Sequence, residues 1–204
     1  MPKRVLVALK VLVHIACLAP VAWLVVHLFQ NNLGPDPTHT VTFFTGRGTV
    51  RLLVVSLAIT PVRRLIPKLA WLIRFRRMLG LYAFFYGCLH LMTYLWLYAG
   101  FSWAAIVDDI SRRRFIVAGV TAWVLLVPLA LTSTAWSIRK LGGKNWTRLH
   151  RLAYLAVLAG VVHYWWGVKQ GDHTPMEITV VLAVVLAARP VLTWARHQTP
   201  VPKS

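Results

Sequence analysis

The sequence predicts an all-α integral membrane protein: a six-transmembrane-helix bundle with both termini cytoplasmic. Three observations predict it. Apolar residues make up 58% of the 204 residues and only 14% are charged, whereas soluble domains average about 45 to 50% apolar and about 25% charged. The mean hydropathy is +0.62. Six runs of mostly apolar residues follow one another, each near the length of about 20 that a helix needs to cross a bilayer core.

The runs fall at roughly 5–29, 46–66, 78–98, 115–136, 150–168 and 175–193. The first follows Lys3 and Arg4 and resembles a signal peptide. It reaches Phe29, however, too long for an h-region of about 7 to 15 residues, so it reads as a helix. The second run closes on Arg63 and Arg64, and the third opens after Arg74, Arg76 and Arg77. Arg112, Arg113 and Arg114 precede the fourth, Arg148 and Arg151 frame the start of the fifth, and Arg189 ends the sixth. Six spans nearly exhaust residues 1–204, which read as a single domain with short linkers. No internal repeat and no nucleotide-binding motif is visible.

An even number of spans puts both termini on one side. With that side cytoplasmic, it holds 17 of the 23 Lys and Arg residues, Arg196 and Lys203 among them. This agrees with the positive-inside rule. All five acids, Asp36, Asp108, Asp109, Asp172 and Glu177, fall outside; the discordant basic cluster is Arg112 to Arg114. The formal charge of +18 is therefore topology information, not a nucleic-acid footprint. Cys17 and Cys88 lie inside apolar runs without a CxxC partner or metal-ligand spacing and read as inert packing residues.

Ionisable residues inside a span are costly and suggest function. His14, His27, His90, His150 and His163 lie within or at the ends of the runs. His90 stands 13 residues beyond Arg77 and His163 stands 12 beyond Arg151, so at 1.5 Å per residue both are ~18 to 20 Å above the cytoplasmic boundary. The two helices run the same way, and imidazoles at one level can ligate a single iron from opposite sides, as in a bis-histidine haem b. Small residues three and four positions earlier, Gly87 before His90, and Ala159 and Gly160 before His163, leave room on the same faces. Two other readings stay open: a buried histidine bonded to a carbonyl, and a proton relay.

His150 lies 13 residues before His163, hence ~20 Å deeper. It is a candidate ligand of a second haem, so the haem count is one or two. The depth-matched residue on the third helix is Arg77, which cannot ligate iron, and His14 is the best candidate partner. Arg74, Arg76 and Arg77 are candidates to pair haem propionates or a flavin phosphate. His27 reads as a snorkelling interfacial residue, and His39, His173 and His197 read as solvated. Trp103, Trp165 and Trp166 read as belt residues, whereas Trp23 is a candidate for lining a redox site.

Several segments together carry a family resemblance: Phe43-Phe44-Thr45-Gly46-Arg47, Ile59-Thr60-Pro61, Arg76 to Leu81, Leu89-His90-Leu91, Leu131 to Thr134, and "LHRLAYL" followed by His163-Tyr164. Over nearly its whole length the chain resembles the MsrQ (formerly YedZ) family, haem-binding membrane subunits of periplasmic methionine sulfoxide reductase systems. That family belongs to a wider ferric-reductase-like transmembrane group. The resemblance implies that His90, His150 and His163 match the family's haem-associated histidines. It also implies FMN, quinone-derived electrons and a bacterial inner-membrane location. The chain departs from the wider group in having Arg77 in place of a second histidine on the third helix, and in lacking a C-terminal flavin and nicotinamide domain.

The leading expectation is a membrane electron conduit. Electrons are expected from the quinone pool or a cytoplasmic flavin reductase, and the resemblance implies that they leave for the periplasmic molybdopterin subunit MsrP, where the substrate chemistry occurs. Segments 30–45 and 99–114 are long enough to dock that partner, with Asp108, Asp109 and Arg112 to Arg114 as electrostatic contacts. The alternatives are a membrane ferric reductase, and a transporter using His14, His90 and His163 as a proton relay.

Overall fold

The computed structural model describes residues 2–168 and 171–198. Lys203 and the side chains of Arg196 and His197 lie outside the described residues. The described residues hold helices and no strand. In order these are α1 (Lys3–Phe29), α2 (Pro37–Leu65), a 3₁₀ turn (Pro67–Leu72), α3 (Ile73–Thr93) continued by a π turn (Tyr94–Tyr98), α4 (Trp103–Arg112), α5 (Arg114–Leu131), α6 (Ala135–Leu149), α7 (Leu152–Gly167) and α8 (Thr174–Gln198).

Five segments are long and apolar enough to cross a membrane: α1, α2, Pro67–Tyr98, α5 and Thr174–Trp194 of α8. The fifth expected span, α7, is apolar but has 16 residues.

Inside a bilayer, lipid tails are as apolar as leucine, so helices associate through close packing more than through burial. The core follows that rule. Val50, Leu53, Val54 and Leu57 of α2 meet Ala83 of α3, Leu126 and Leu129 of α5, Ala156, Val157 and Val161 of α7, and Ile178, Leu182 and Val185 of α8. A Cβ on Gly48 would stand 2.3 Å from the Tyr86 ring, so glycine is what lets α2 and α3 approach. Tyr86 donates its hydroxyl to the Cys17 carbonyl (2.9 Å), which ties α1 to the bundle. α1 is otherwise peripheral, with Cys17 and Leu24 its buried residues.

Three stretches differ from expectation, each through local hydrogen bonding. α2 starts at Pro37, well before residue 46, because Asp36 accepts the His39 N–H (2.9 Å) as an N-cap and Pro37 sits at the first turn. The fourth run stops at Leu131. There Thr132 and Ser133 donate their hydroxyls to the carbonyls of Pro128 (2.6 Å) and Leu129 (2.7 Å). Thr134 then accepts the Ser137 N–H (3.1 Å) and starts α6. Between residues 99 and 114, expected only as a connecting segment between spans, Ser102 caps the short amphipathic helix α4. α6 bends at Gly142, whose φ of +72° is open to glycine at little cost.

Candidate functional site

α3 and α7 bring His90 and His163 together edge to face: their ring centroids are 5.8 Å apart and their planes cross at 74°. Each ring is pinned from behind. His90 donates its Nδ1–H to the Thr42 carbonyl of α2 (3.0 Å), and His163 donates its Nδ1–H to the Phe115 carbonyl of α5 (2.6 Å). A carbonyl only accepts, so both protons sit on Nδ1 and both Nε2 atoms keep a lone pair. Metal-ligating imidazoles are held in this way.

Each histidine also rests on a glycine one helical turn beyond the carbonyl it bonds. A Cβ on Gly46 would lie 3.0 Å from His90 Cε1, and one on Gly119 would lie 2.7 Å from His163 Nδ1. The two carbonyl-to-histidine separations are equal, 48 residues each. The pairs α2/α3 and α5/α7 therefore present their histidines by one local design. The likeness is one of local geometry, not of sequence, since the matching residues, Thr42 and Phe115, act through backbone atoms.

Between these four helices lies a cavity of about 320 Å³, lined by the histidine pair, Gly87, Gly160, Trp123 and Phe43 among others. Ligand sites begin at about this size. Gly87 and Gly160 stand on its wall, and only Gly160 faces open space: nothing lies within 4 Å of where its Cβ would be, while one on Gly87 would touch Thr49 and Trp123 at ordinary distances. The Trp123 Nε1–H is buried with no hydrogen-bond partner.

The donor set selects what fits. Among the described residues no group of three or more His, Cys, Asp or Glu side chains converges, so a bare metal ion would be under-coordinated. A haem iron needs only two axial protein ligands. His90 and His163, 5.8 Å apart between ring centroids, are the two residues that would hold it.

At one end of the cavity, Arg47 donates Nε–H to the Tyr164 hydroxyl (2.7 Å) and pairs through Nη2 with Asp172 (3.1 Å), joining α2, α7 and the turn before α8. The Asp172 carboxyl is held below its ordinary value, first by the Thr174 hydroxyl, then by the Thr174 N–H, and further by Arg47. Asp109, which also lines the cavity, pairs with Arg113 (3.0 Å) and accepts the Tyr94 hydroxyl (3.0 Å). With its side chain 17% exposed it faces inward, whereas Asp108 and Arg112 pair on the surface.

The other predicted residues are not gathered at this pair. His150 caps the end of α6, stacks on Trp146 at 3.8 Å, and meets the Thr132 hydroxyl through Nε2 (3.2 Å). Arg76 and Arg77 are its charge neighbours. His14 bonds Tyr82 through Nδ1 (2.6 Å), and no ring contact joins it to His150 among the described residues. His27 stacks on Trp23 at 4.1 Å, and Trp23 in turn on Phe44 at 5.7 Å. His39 and His173 are exposed, as are Trp103, Trp165 and Trp166. Sequence reasoning missed Thr42, Phe115 and Gly119 and gave Gly46 no role beyond a family motif; nothing in the sequence marks the two carbonyls.

A helical membrane bundle with a histidine pair facing across its interior defines a class, and residues 43–161 match the family described as ferric reductase like transmembrane component. Curated relatives narrow it. The chain is 43% identical over 195 residues to the "Protein-methionine-sulfoxide reductase heme-binding subunit MsrQ" of Herminiimonas arsenicoxydans, covering 94% of this chain and 88% of that protein. It is 45% identical to the subunit of the same name from Xanthomonas campestris pv. campestris (96% and 94% covered) and 44% identical to that of Ralstonia nicotianae (95% and 90%). The chain belongs to the MsrQ family.

Proposed function

We propose that the chain is the haem b membrane electron-transfer subunit of a methionine sulfoxide reductase system, with His90 and His163 as the residues that would hold one haem. The observation that carries the reading is the close pair of imidazoles, each with Nδ1–H on a backbone carbonyl, which leaves both Nε2 lone pairs available. Haem held there supplies one-electron transfer. The protein's part is positional. The Thr42 and Phe115 carbonyls fix tautomer and ring orientation, Gly46 and Gly119 let the rings seat against their helices, and Gly160 leaves the cavity wall open.

In this reading all six apolar helices span the bacterial inner membrane, α7 included, and both termini are cytoplasmic. The arginine-rich ends of α2, α3 and α8 then face the cytoplasm, and α4 lies at the periplasmic surface. Electrons enter from the quinone pool or a flavin donor and leave for the periplasmic molybdopterin subunit MsrP, which reduces methionine sulfoxide in oxidised proteins. Asp108 and Arg112 are the exposed charges of α4 offered to that partner. Reconstitution tests it. Proteoliposomes holding the chain and a reduced quinone should drive sulfoxide reduction by added MsrP, and His90→Ala or His163→Ala should abolish the coupling. Turnover by either variant at the wild-type rate would contradict the proposal.

A further inference from the structure

The wall of the histidine cavity is polar at one end and apolar at the other. On α3 it runs from Gly87 past His90 to Tyr94, and on α7 from Gly160 past His163 to Tyr164. Tyr94 donates its hydroxyl to Asp109 (3.0 Å), and Asp109 pairs with Arg113 (3.0 Å), the residue that joins α4 to α5. Tyr164 accepts from Arg47 Nε (2.7 Å). The charged residues on the wall other than the histidines, Arg47, Asp109 and Arg113, are thereby gathered where α3 and α7 end. Toward the starts of those two helices, the wall passes to Gly87, Gly160, and Trp123 and Leu126 of α5, with no charged side chain among the described residues.

Neither guanidinium is used up. Arg47 commits Nε to Tyr164 and Nη2 to Asp172 (3.1 Å), and Arg113 commits Nε to Asp109; their other Nη groups make no further hydrogen bond among the described residues. A guanidinium carries five N–H donors in a planar fork, so each keeps donors for a second carboxylate. Such charge-assisted pairs are the strong ones. A haem is a flat apolar ring with both carboxylates on one edge, and a cavity with one cationic and one apolar end suits that shape. Arg74, Arg76 and Arg77, which the sequence offers for the same carboxylates, are absent from this wall, and Arg76 and Arg77 neighbour His150 instead.

We propose that Arg47 and Arg113 bind the two carboxylates of the haem, so that its acid edge lies toward α4 and its apolar edge toward Trp123 and Leu126. This rests on the haem reading above. The test compares iron protoporphyrin IX with its dimethyl ester, which keeps the ring and the iron but has no free carboxylate. Each is titrated in neutral detergent into the full chain, purified haem-free from haem-limited cells, and binding is read from the b-type absorption band. Wild type should bind the diacid about tenfold more tightly than the diester. Arg47→Gln and Arg113→Gln should each weaken the diacid about tenfold and leave the diester unchanged, and Arg113→Lys, which keeps the charge, should recover part of the loss. The wild-type comparison needs no substitution, so it decides the matter even where Arg47→Gln, which also releases Tyr164 and Asp172, unsettles the fold. Equal affinity of wild type for the two porphyrins would overturn the proposal, as would an Arg113→Gln variant that binds the diacid like wild type or weakens both porphyrins alike. A wild-type chain that gives a b-type spectrum with neither porphyrin would contradict the haem reading itself, and this proposal with it.

Discussion

Gly119 and Gly160 sit on the same cavity and make opposite demands. A Cβ on Gly119 would press on the His163 ring at 2.7 Å, so Gly119→Ala must displace that imidazole whether or not anything is bound. A Cβ on Gly160 meets nothing within 4 Å; alanine there should stabilise α7 by about 0.5 to 1 kcal/mol while intruding on the space the cofactor needs. Haem content should fall in both variants, and thermal unfolding of the haem-free protein should show a loss for Gly119→Ala and a gain for Gly160→Ala. Asp172 yields a pH prediction. Its depressed pKa means that its contribution is complete above the unfolded value, about 3.9, and is lost as pH falls through the folded value. Hydrogen exchange around residues 171–173 should be flat from pH 8 to 5 apart from the intrinsic rate and accelerate below about 4, and Asp172→Asn should remove that acid step. At this scale the sequence already exposes His90, His163, Gly87 and Gly160, because depth arithmetic needs only the helix rise. Thr42 and Phe115 were illegible because any residue can present a carbonyl, and Gly46 and Gly119 because their partners lie on other helices.

Elements that do not cross the membrane were the hardest to read. α4 and α6 lack a long apolar run, yet Ser102 and Thr134 cap them, and Asp36-Pro37 marks the early start of α2. Those caps are short-range signals that a search for spans passes over. Along α4, Trp103, Val107 and Ile110 are exposed at i, i+4 and i+7, the pattern of a helix lying in an interface. Ser102→Ala should therefore cost α4 about 1 kcal/mol. Asp108→Ala, which breaks an exposed pair, should cost about 0.3 to 0.5 kcal/mol. Exchange protection across residues 103–112 would rank the two, and equal effects would contradict this account of α4.

For the whole molecule, composition was enough to give a helical membrane protein, since 58% apolar residues leave few alternatives. The span count was less legible, because α7 is only 16 residues long, about 24 Å of helix against a core of about 30 Å. Its packing against α5, with His163 bonded to Phe115, argues for a full span. The proposed orientation predicts that an alkaline phosphatase reporter is active when inserted at residue 101 and inactive after residue 198. Activity at the C-terminal junction would reverse the topology.

The central claim is the pairing of His90 with His163. Its most direct test is the oxidised and dithionite-reduced absorption spectrum of the purified protein, measured for wild type, His90→Ala, His163→Ala and His150→Ala after expression with ample haem. The account predicts a reducible b-type spectrum that disappears in both His90→Ala and His163→Ala, with His150→Ala reporting whether a second haem adds to the signal. A colourless wild-type protein, or a full spectrum in His90→Ala and His163→Ala, would contradict it.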